Sequence, residues 1–215
     1  MADETQRVLP LFPLEQVVLF PGMSLPLRIF EERYKVMIGA CQVTDQLFGV
    51  VLIRSGREVG DPAEPEHVGC TARMVRVDRI PDGQMHIMTI GEQRFRLMGD
   101  ARVMPEGYLA GDVQLLLEAA PAKVDSALVE SVSQEFTRYQ QAILGLTGRV
   151  DPVVTPPELP ADPVRLSYRI AATLFVDARE RQKLLETDDV ASRLQQELAL
   201  LKREMPKTIG PFSLN

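Results

Sequence analysis

Four side chains with metal-binding or nucleophilic chemistry stand apart in this chain: Cys41, His67, Cys70 and His86. Neither cysteine belongs to a C-x-x-C pair, and the histidines lack H-x-x-H spacing, so there is no zinc signature. His67 follows Glu64 and Glu66 in a polar stretch, where it could hold no more than an adventitious cation. His86 lies among Met85, Ile87 and Met88, the setting of a packed or half-exposed strand residue rather than a catalyst. The cysteines are expected as two buried thiols of a reducing cytosol, with a Cys41–Cys70 disulfide as the alternative. No G-x-x-x-x-G-K-[ST] loop is present to cradle nucleotide phosphates; G-R-E-V-G at Gly56 to Gly60 has the glycines without the Lys-Ser/Thr. No nucleophile with a partnered base can be read. The expectation is therefore no catalytic residue, no cofactor and no metal.

The remaining chemistry is recognition. Residues Leu9 to Tyr34 read L-P-L-F-P-L-E-Q-V-V-L-F-P-G-M-S-L-P-L-R-I-F-E-E-R-Y. Leu25, Leu27 and Phe30 can line an apolar groove, with Arg28, Glu31, Arg33 and Tyr34 as its polar rim, able to hold an exposed peptide. The plainer reading of the same charges is an Arg28–Glu31 pair that fixes a strand-to-helix corner. Glu92, Arg94 and Arg96 read as the solvated face of a strand that buries Phe95 and Leu97. Met74, Met85, Met88, Met98 and Met104 read mainly as core filler, or else as an adaptable binding surface.

These residues need elements to position them. Val8 to Leu11 and Gln16 to Phe20 are short strand candidates separated by Pro13, and Pro21-Gly22 is a turn signal. Leu25 to Ile29 is extended, and Pro26 assigns it to an edge or a strand start. Glu31 to about Gln42 is a helix whose stripe is Tyr34, Met37, Ile38 and Cys41. Leu47 to Ile53 is a buried central strand. Ser55 to Val68 is a polar loop. Thr71 to Ile80 and Gln84 to Ile90 form a hairpin on Pro81-Asp82-Gly83. Gly91 interrupts, Glu92 to Met98 is a further strand, and Tyr108 to Leu117 closes the β region. Six or more strands with one short helix suggest a closed or half-closed barrel.

The composition changes at Ala119-Ala120-Pro121, and the chain is then helical. Val124, Leu128, Val132, Phe136, Tyr139, Ile143 and Leu146 stripe a helix of about six turns. Asp162-Pro163 starts a second helix, with Leu166, Ile170 and Leu174 on its apolar face. Asp177 to Glu180 reads as a capping box on a short third helix carrying Leu184 and Leu185. A fourth begins near Asp188-Asp189, with Val190, Leu194, Leu198, Leu201 and Met205 as its stripe, and Pro206 stops it. The expected organisation is a β-rich subdomain 1–118, an α-helical bundle 122–206 and a tail 207–215. The halves are expected to pack as one rigid unit, with Phe212 and Leu214 docking back onto the body.

The 215 residues carry a net charge of −6 with 45% hydrophobic residues. That acidity argues against general nucleic-acid binding. The N-terminus M-A-D-E-T-Q-R has no apolar region of a signal peptide. Nowhere do about 18 apolar residues run together, so no membrane span and a cytoplasmic location are expected.

The opening stretch resembles that of the Lon protease N-terminal (Lon substrate-binding) family. So do F-G-V-V-L-I at Phe48 to Ile53, V-G-C-T-A-R at Val68 to Arg73, D-R-I-P-D-G at Asp78 to Gly83 and G-E-Q-R-F-R-L at Gly91 to Leu97. D-P-V-R-L-S-Y-R-I-A and D-A-R-E-R-Q-K-L-L-E are similar to its helical half. The order and spacing match the free-standing bacterial type. The resemblance implies an α+β fold: a PUA-like pseudo-β-barrel with one short helix, followed by a C-terminal α-helical bundle. It also implies a non-catalytic protein- or peptide-binding module without ATPase or Ser-Lys protease elements, whose partners are unfolded or partner protein segments. The alternatives are a small hydrolase with a site between the halves and an RNA-binding PUA-like protein.

Overall fold

In a computed structural model the described residues are 5–44, 47–57, 63–118, 124–146 and 158–205. They fall into two compact units, residues 1–118 with 177–186, and residues 119–176 with 187–215. The expected tail, 207–215, lies outside the described residues, as does most of the loop between residues 57 and 63.

The first unit is a mixed sheet. Its strands are β1 (Gln6–Leu14), β2 (Ser24–Ile29), β3 (Leu47–Ser55), β4 (Glu64–Pro65), β5 (Val68–Arg79), β6 (Met85–Leu97), β7 (Arg102–Val103) and β8 (Leu109–Leu115). The order is β2-β6-β5-β3-β1-β8-β7, with β4 on β3. β8 also pairs with β6, so the path β6-β5-β3-β1-β8 returns to its start. Among the described strands, only β1–β3 is parallel. The hairpin β5–β6 turns through Pro81–Gly83, where Gly83 takes φ 69° as its turn requires.

Four strand expectations change, the first being that the expected loop Ser55 to Val68 holds β4, paired with β3. Pro13 does not break β1, which runs through both Pro10 and Pro13. The β3 register on β1 starts at Leu11 and the β8 register ends at Leu11. Each proline therefore sits where the strand has a partner on one side only, and a missing N–H can be tolerated there. Gln16 to Phe20 is not a strand among the described residues. It is a buried connection, with Val18, Leu19 and Phe20 in the core. Gly91 does not end the strand, since β6 is continuous from Met85 to Leu97, although the β5–β6 register shifts between Gly91 and Arg94. Its lack of a side chain serves a close approach instead: a Cβ there would lie 2.3 Å from the Phe20 carbonyl oxygen. Gly91 N–H donates to Met23 O (2.9 Å), and Gly91 O accepts from Gly22 N–H (2.7 Å).

Helix α1 (Glu32–Val43) follows β2 and buries the expected stripe of Tyr34, Met37, Ile38 and Cys41. Those four join Phe12, Leu14, Leu25, Ile29, Phe48 and Cys70 in one core cluster; Leu11, Val51, Phe95 and Leu97 belong to a second. Cys41 and Cys70 are both buried free thiols. Burial pushes the Cys70 thiol far above its ordinary pKa.

Arg94 is not on a solvated face. It is 2% exposed, and its Nε donates to Glu118 (2.8 Å) and its Nη1 to the Leu185 carbonyl (2.7 Å). Leu185 belongs to a short helix, residues 178–186, held against β5. In the same helix the Gln182 amide donates to Val68 O (2.9 Å), and Asp177 accepts from Glu180 N–H (2.8 Å) at its start.

Numbering the helices in chain order, the second unit holds α2 (Ser126–Leu146), α3 (Pro163–Thr173) and α5 (Val190–Glu204), and residues 178–186 are α4. α2 buries Val132, Phe136 and Tyr139; α3 buries Leu166 and Ile170. Asp162 caps α3 by accepting from Arg165 N–H, and Asp189 caps α5 by accepting from Ser192 N–H. A buried polar chain links α3 to α5. Arg193 Nε donates to Ser167 Oγ (2.6 Å), and Ser167 Oγ donates to Glu197 (2.8 Å). Burial raises the Glu197 carboxyl well above its ordinary pKa, although Ser167 and Arg193 oppose the shift.

Candidate functional site

Strand β2 is an edge strand. It pairs with β6 from Ser24↔Ile90 to Ile29↔Met85, and no described strand pairs on its other side. Gly91 N–H bonds to Met23 O at the start of this register. By alternation, Leu25, Leu27 and Ile29 turn their backbone groups toward β6, while Ser24, Pro26 and Arg28 turn theirs to the open edge. The Thr89 hydroxyl, which donates to Leu25 O (2.9 Å), fits that phase. Pro26 thus presents a carbonyl at the edge but no N–H.

The seven predicted site residues divide. Leu27, Arg28, Phe30, Glu31 and Tyr34 line one recess of 270 Å³, together with Phe12, Leu14 and Pro26. Phe30 is 50% exposed at its mouth. Tyr34 is buried at its back, its ring 4.3 Å from that of Phe12. Leu25 does not line it; at 7% exposure it belongs to the core. Arg33 does not line it either. It pairs with Glu31 (2.9 Å) and lays its guanidinium 4.6 Å from the Tyr34 ring centroid. The expected Arg28–Glu31 pair is not formed: Arg28 donates instead to Gln84 Oε1 (3.1 and 2.9 Å), across the β2–β6 ladder. Glu31 carries the corner through its backbone, its carbonyl accepting from Tyr34 and Lys35 N–H as α1 begins.

A second recess, of 420 Å³, lies along the same edge and is lined by Pro26, Leu27, Arg28, Arg76, Asp78, His86, Ile87 and Met88. His86 stands between Arg28 and Asp78 in register, and Met88 between Pro26 and Arg76. His86 is exposed, and Met88 and Ile90 are each 37% exposed, so the methionine reading splits: Met74 and Met85 are core, Met88 and Met98 are surface. The strand register was needed to find this face. The only sequence signal for it was Pro26, which marked the edge.

A wider groove of 790 Å³ runs over β1, β8 and the end of α1, lined among others by Arg7, Val8, Cys41, Thr44, Met104 and Tyr108. Burial, and then the neighbouring Glu106, raise the Tyr108 hydroxyl pKa. Its Cys41 thiol is buried, and no histidine or carboxylate lines the groove to activate it. No group of three metal-ligating side chains occurs among the described residues. Among the described residues, the β2 edge offers unpaired backbone, an apolar recess and a half-exposed aromatic ring.

The chain is 31% identical over 199 residues to the Lon protease of Roseiflexus castenholzii, covering 92% of this chain and 24% of that protein. It is 30% identical over 199 residues to that of Desulfovibrio desulfuricans, covering 92% and 22%. The chain thus spans about a quarter of the length of these relatives. The Lon N-terminal domain protein of Xanthomonas campestris superposes with a TM-score of 0.65 at 28% identity, over 90% of this chain and 98% of that one. The N-terminal domain of the Mycobacterium avium complex Lon protease shares the fold, with a TM-score of 0.66 at 21% identity, over 92% of this chain and 100% of that one. The family model for the ATP-dependent protease La (LON) substrate-binding domain matches residues 8–203, and the chain belongs to that family.

Proposed function

We propose that this chain is a non-catalytic recognition module that captures exposed, extended segments of protein substrates at the β2 edge. The observation that carries the reading is the coincidence of an unpaired strand edge with the recess of Phe12, Leu14, Leu27, Phe30 and Tyr34. An exposed chain segment can satisfy edge carbonyls and amides while burying an apolar side chain in the recess. The family, a substrate-binding domain, supports the same role. The closed pairing path β6-β5-β3-β1-β8 supports a PUA-like pseudo-barrel as the scaffold, and α2, α3 and α5 a helical bundle beside it in sequence.

The test is a titration of the full chain with a permanently unfolded model protein and with the same protein in its native state. Saturable binding of the unfolded form alone, weakened at least about ten-fold (about 1.4 kcal/mol) by Phe30→Ala, is the expected result. Equal binding of native and unfolded protein, or binding indifferent to Phe30, would overturn the reading. No helix among the described residues is long and apolar enough to cross a membrane. Independently of that observation, the proposal takes the cytoplasm as the place of recognition.

A further inference from the structure

The two recesses at the β2 edge share three residues, Pro26, Leu27 and Arg28. One opens on the core side of the sheet, against Phe12, Leu14, Phe30 and Tyr34. The other opens on the outer face, against Arg76, Asp78, His86 and Met88. An extended segment laid along the outward groups of Ser24, Pro26 and Arg28 sends successive side chains to opposite faces. Its alternate residues would therefore enter two different environments.

Arg28 lines both recesses, but by alternation its side chain lies on the outer face, in register with His86. On the core side the one carboxylate, Glu31, is engaged by Arg33 at 2.9 Å. On the outer face Arg76 and the single lining carboxylate, Asp78, pair at 2.8 Å, which leaves Arg28 as the unbalanced charge, with the His86 ring beside it in register. Arg28 bonds to the neutral amide of Gln84, so no carboxylate offsets its charge through that contact. The chain as a whole carries −6 with histidine counted neutral, which makes this unbalanced arginine a local feature.

We propose that the β2 edge selects extended acidic segments in which apolar and acidic residues alternate. The apolar side chains fill the core-side recess, and the aspartates or glutamates between them face Arg28 and His86. The inference rests on the recognition reading above and narrows its substrate class. Pro26 leaves the backbone ladder one donor short, so side chains carry a larger share of the selection.

The experiment is fluorescence anisotropy on the full chain with three labelled nine-residue peptides: alternating Leu/Asp, the same composition in two blocks, and alternating Leu/Lys. The alternating Leu/Asp peptide is expected to bind at least ten-fold more tightly than the other two, and to lose that margin in 0.5 M salt. Arg28→Glu, at an exposed position, is expected to shift preference toward Leu/Lys. The salt titration of the unaltered chain gives the same discrimination should that variant fail to fold. Equal affinity for the acidic and basic peptides, or for the alternating and block sequences, overturns the inference. If an unfolded protein still binds in that case, recognition stands without this selectivity; if neither it nor any peptide binds, the recognition reading falls as well.

Discussion

Replacing Gly91 by alanine should damage the site from a distance. The added Cβ would meet the Phe20 carbonyl oxygen at 2.3 Å, its carbon at 3.0 Å and Leu19 Cγ at 3.1 Å. The first two are backbone atoms, so relief requires moving the turn at residues 20–23 away from β6. That motion opposes both hydrogen bonds holding the turn, Gly22 N–H to Gly91 O and Gly91 N–H to Met23 O. Each is worth about 1 kcal/mol net, and overpacking strain adds about 1–3 kcal/mol. The sum, about 3–5 kcal/mol, corresponds to a fall in Tm of about 6–20 °C for a chain of this size. Differential scanning calorimetry reads the shift. Hydrogen exchange should show faster exchange at residues 22–29, because the turn sets the start of β2. A variant melting within about 1 °C of the parent, with unchanged exchange there, would refute the close-approach account of Gly91.

Arg94→Met should cost about 3 kcal/mol in denaturant unfolding, because it removes the Arg94 donor to the buried Leu185 carbonyl and the Arg94–Glu118 ion pair; an unchanged midpoint would contradict the buried role. Cys41 and Cys70 should resist a thiol reagent in the native chain and react fully once unfolded, since both are buried and the Cys70 thiol titrates far above neutrality. Fast native labelling of either would count against their packing. Glu197, with its folded pKa raised above the unfolded value, binds its proton more tightly in the native state. Its contribution is complete below about pH 4.3 and is lost as pH rises through the folded pKa, so Glu197→Gln should flatten the decline of stability with rising pH above that point. Parallel pH–stability curves for parent and variant would show that Glu197 does not titrate in this way.

Much of the fold was legible in local chemistry. Asp162, Asp177 and Asp189 announced three helix starts, the stripe of α1 is buried as its spacing requires, and Pro81-Asp82-Gly83 turns the longest hairpin. What escaped was set by neighbours remote in sequence. Pro13 is tolerable only because β8 ends opposite Leu11, and Gly91 reads as a break until the Phe20 carbonyl is placed against it. Arg94 looks solvated by alternation, yet Leu185, 91 residues on, covers it. The geometry around β2 was traceable in the same measure. Five of the seven residues chosen around β2 line one recess, while Leu25 is drawn into the core and Arg33 toward Tyr34. The contributions of Phe12, Leu14, His86 and Met88 depend on strand pairings that no local spacing encodes.

The central claim is that extended polypeptide is captured at the β2 edge. A photo-crosslinking residue placed at Phe30, with a control at Val43, tests it most directly. Val43 is 86% exposed at the far end of α1, about 17 Å along the helix at its rise per residue. The account predicts efficient crosslinking of an unfolded protein from position 30, suppressed by excess unlabelled alternating Leu/Asp peptide, and little from position 43. Equal crosslinking from both positions, or none from position 30, would contradict it.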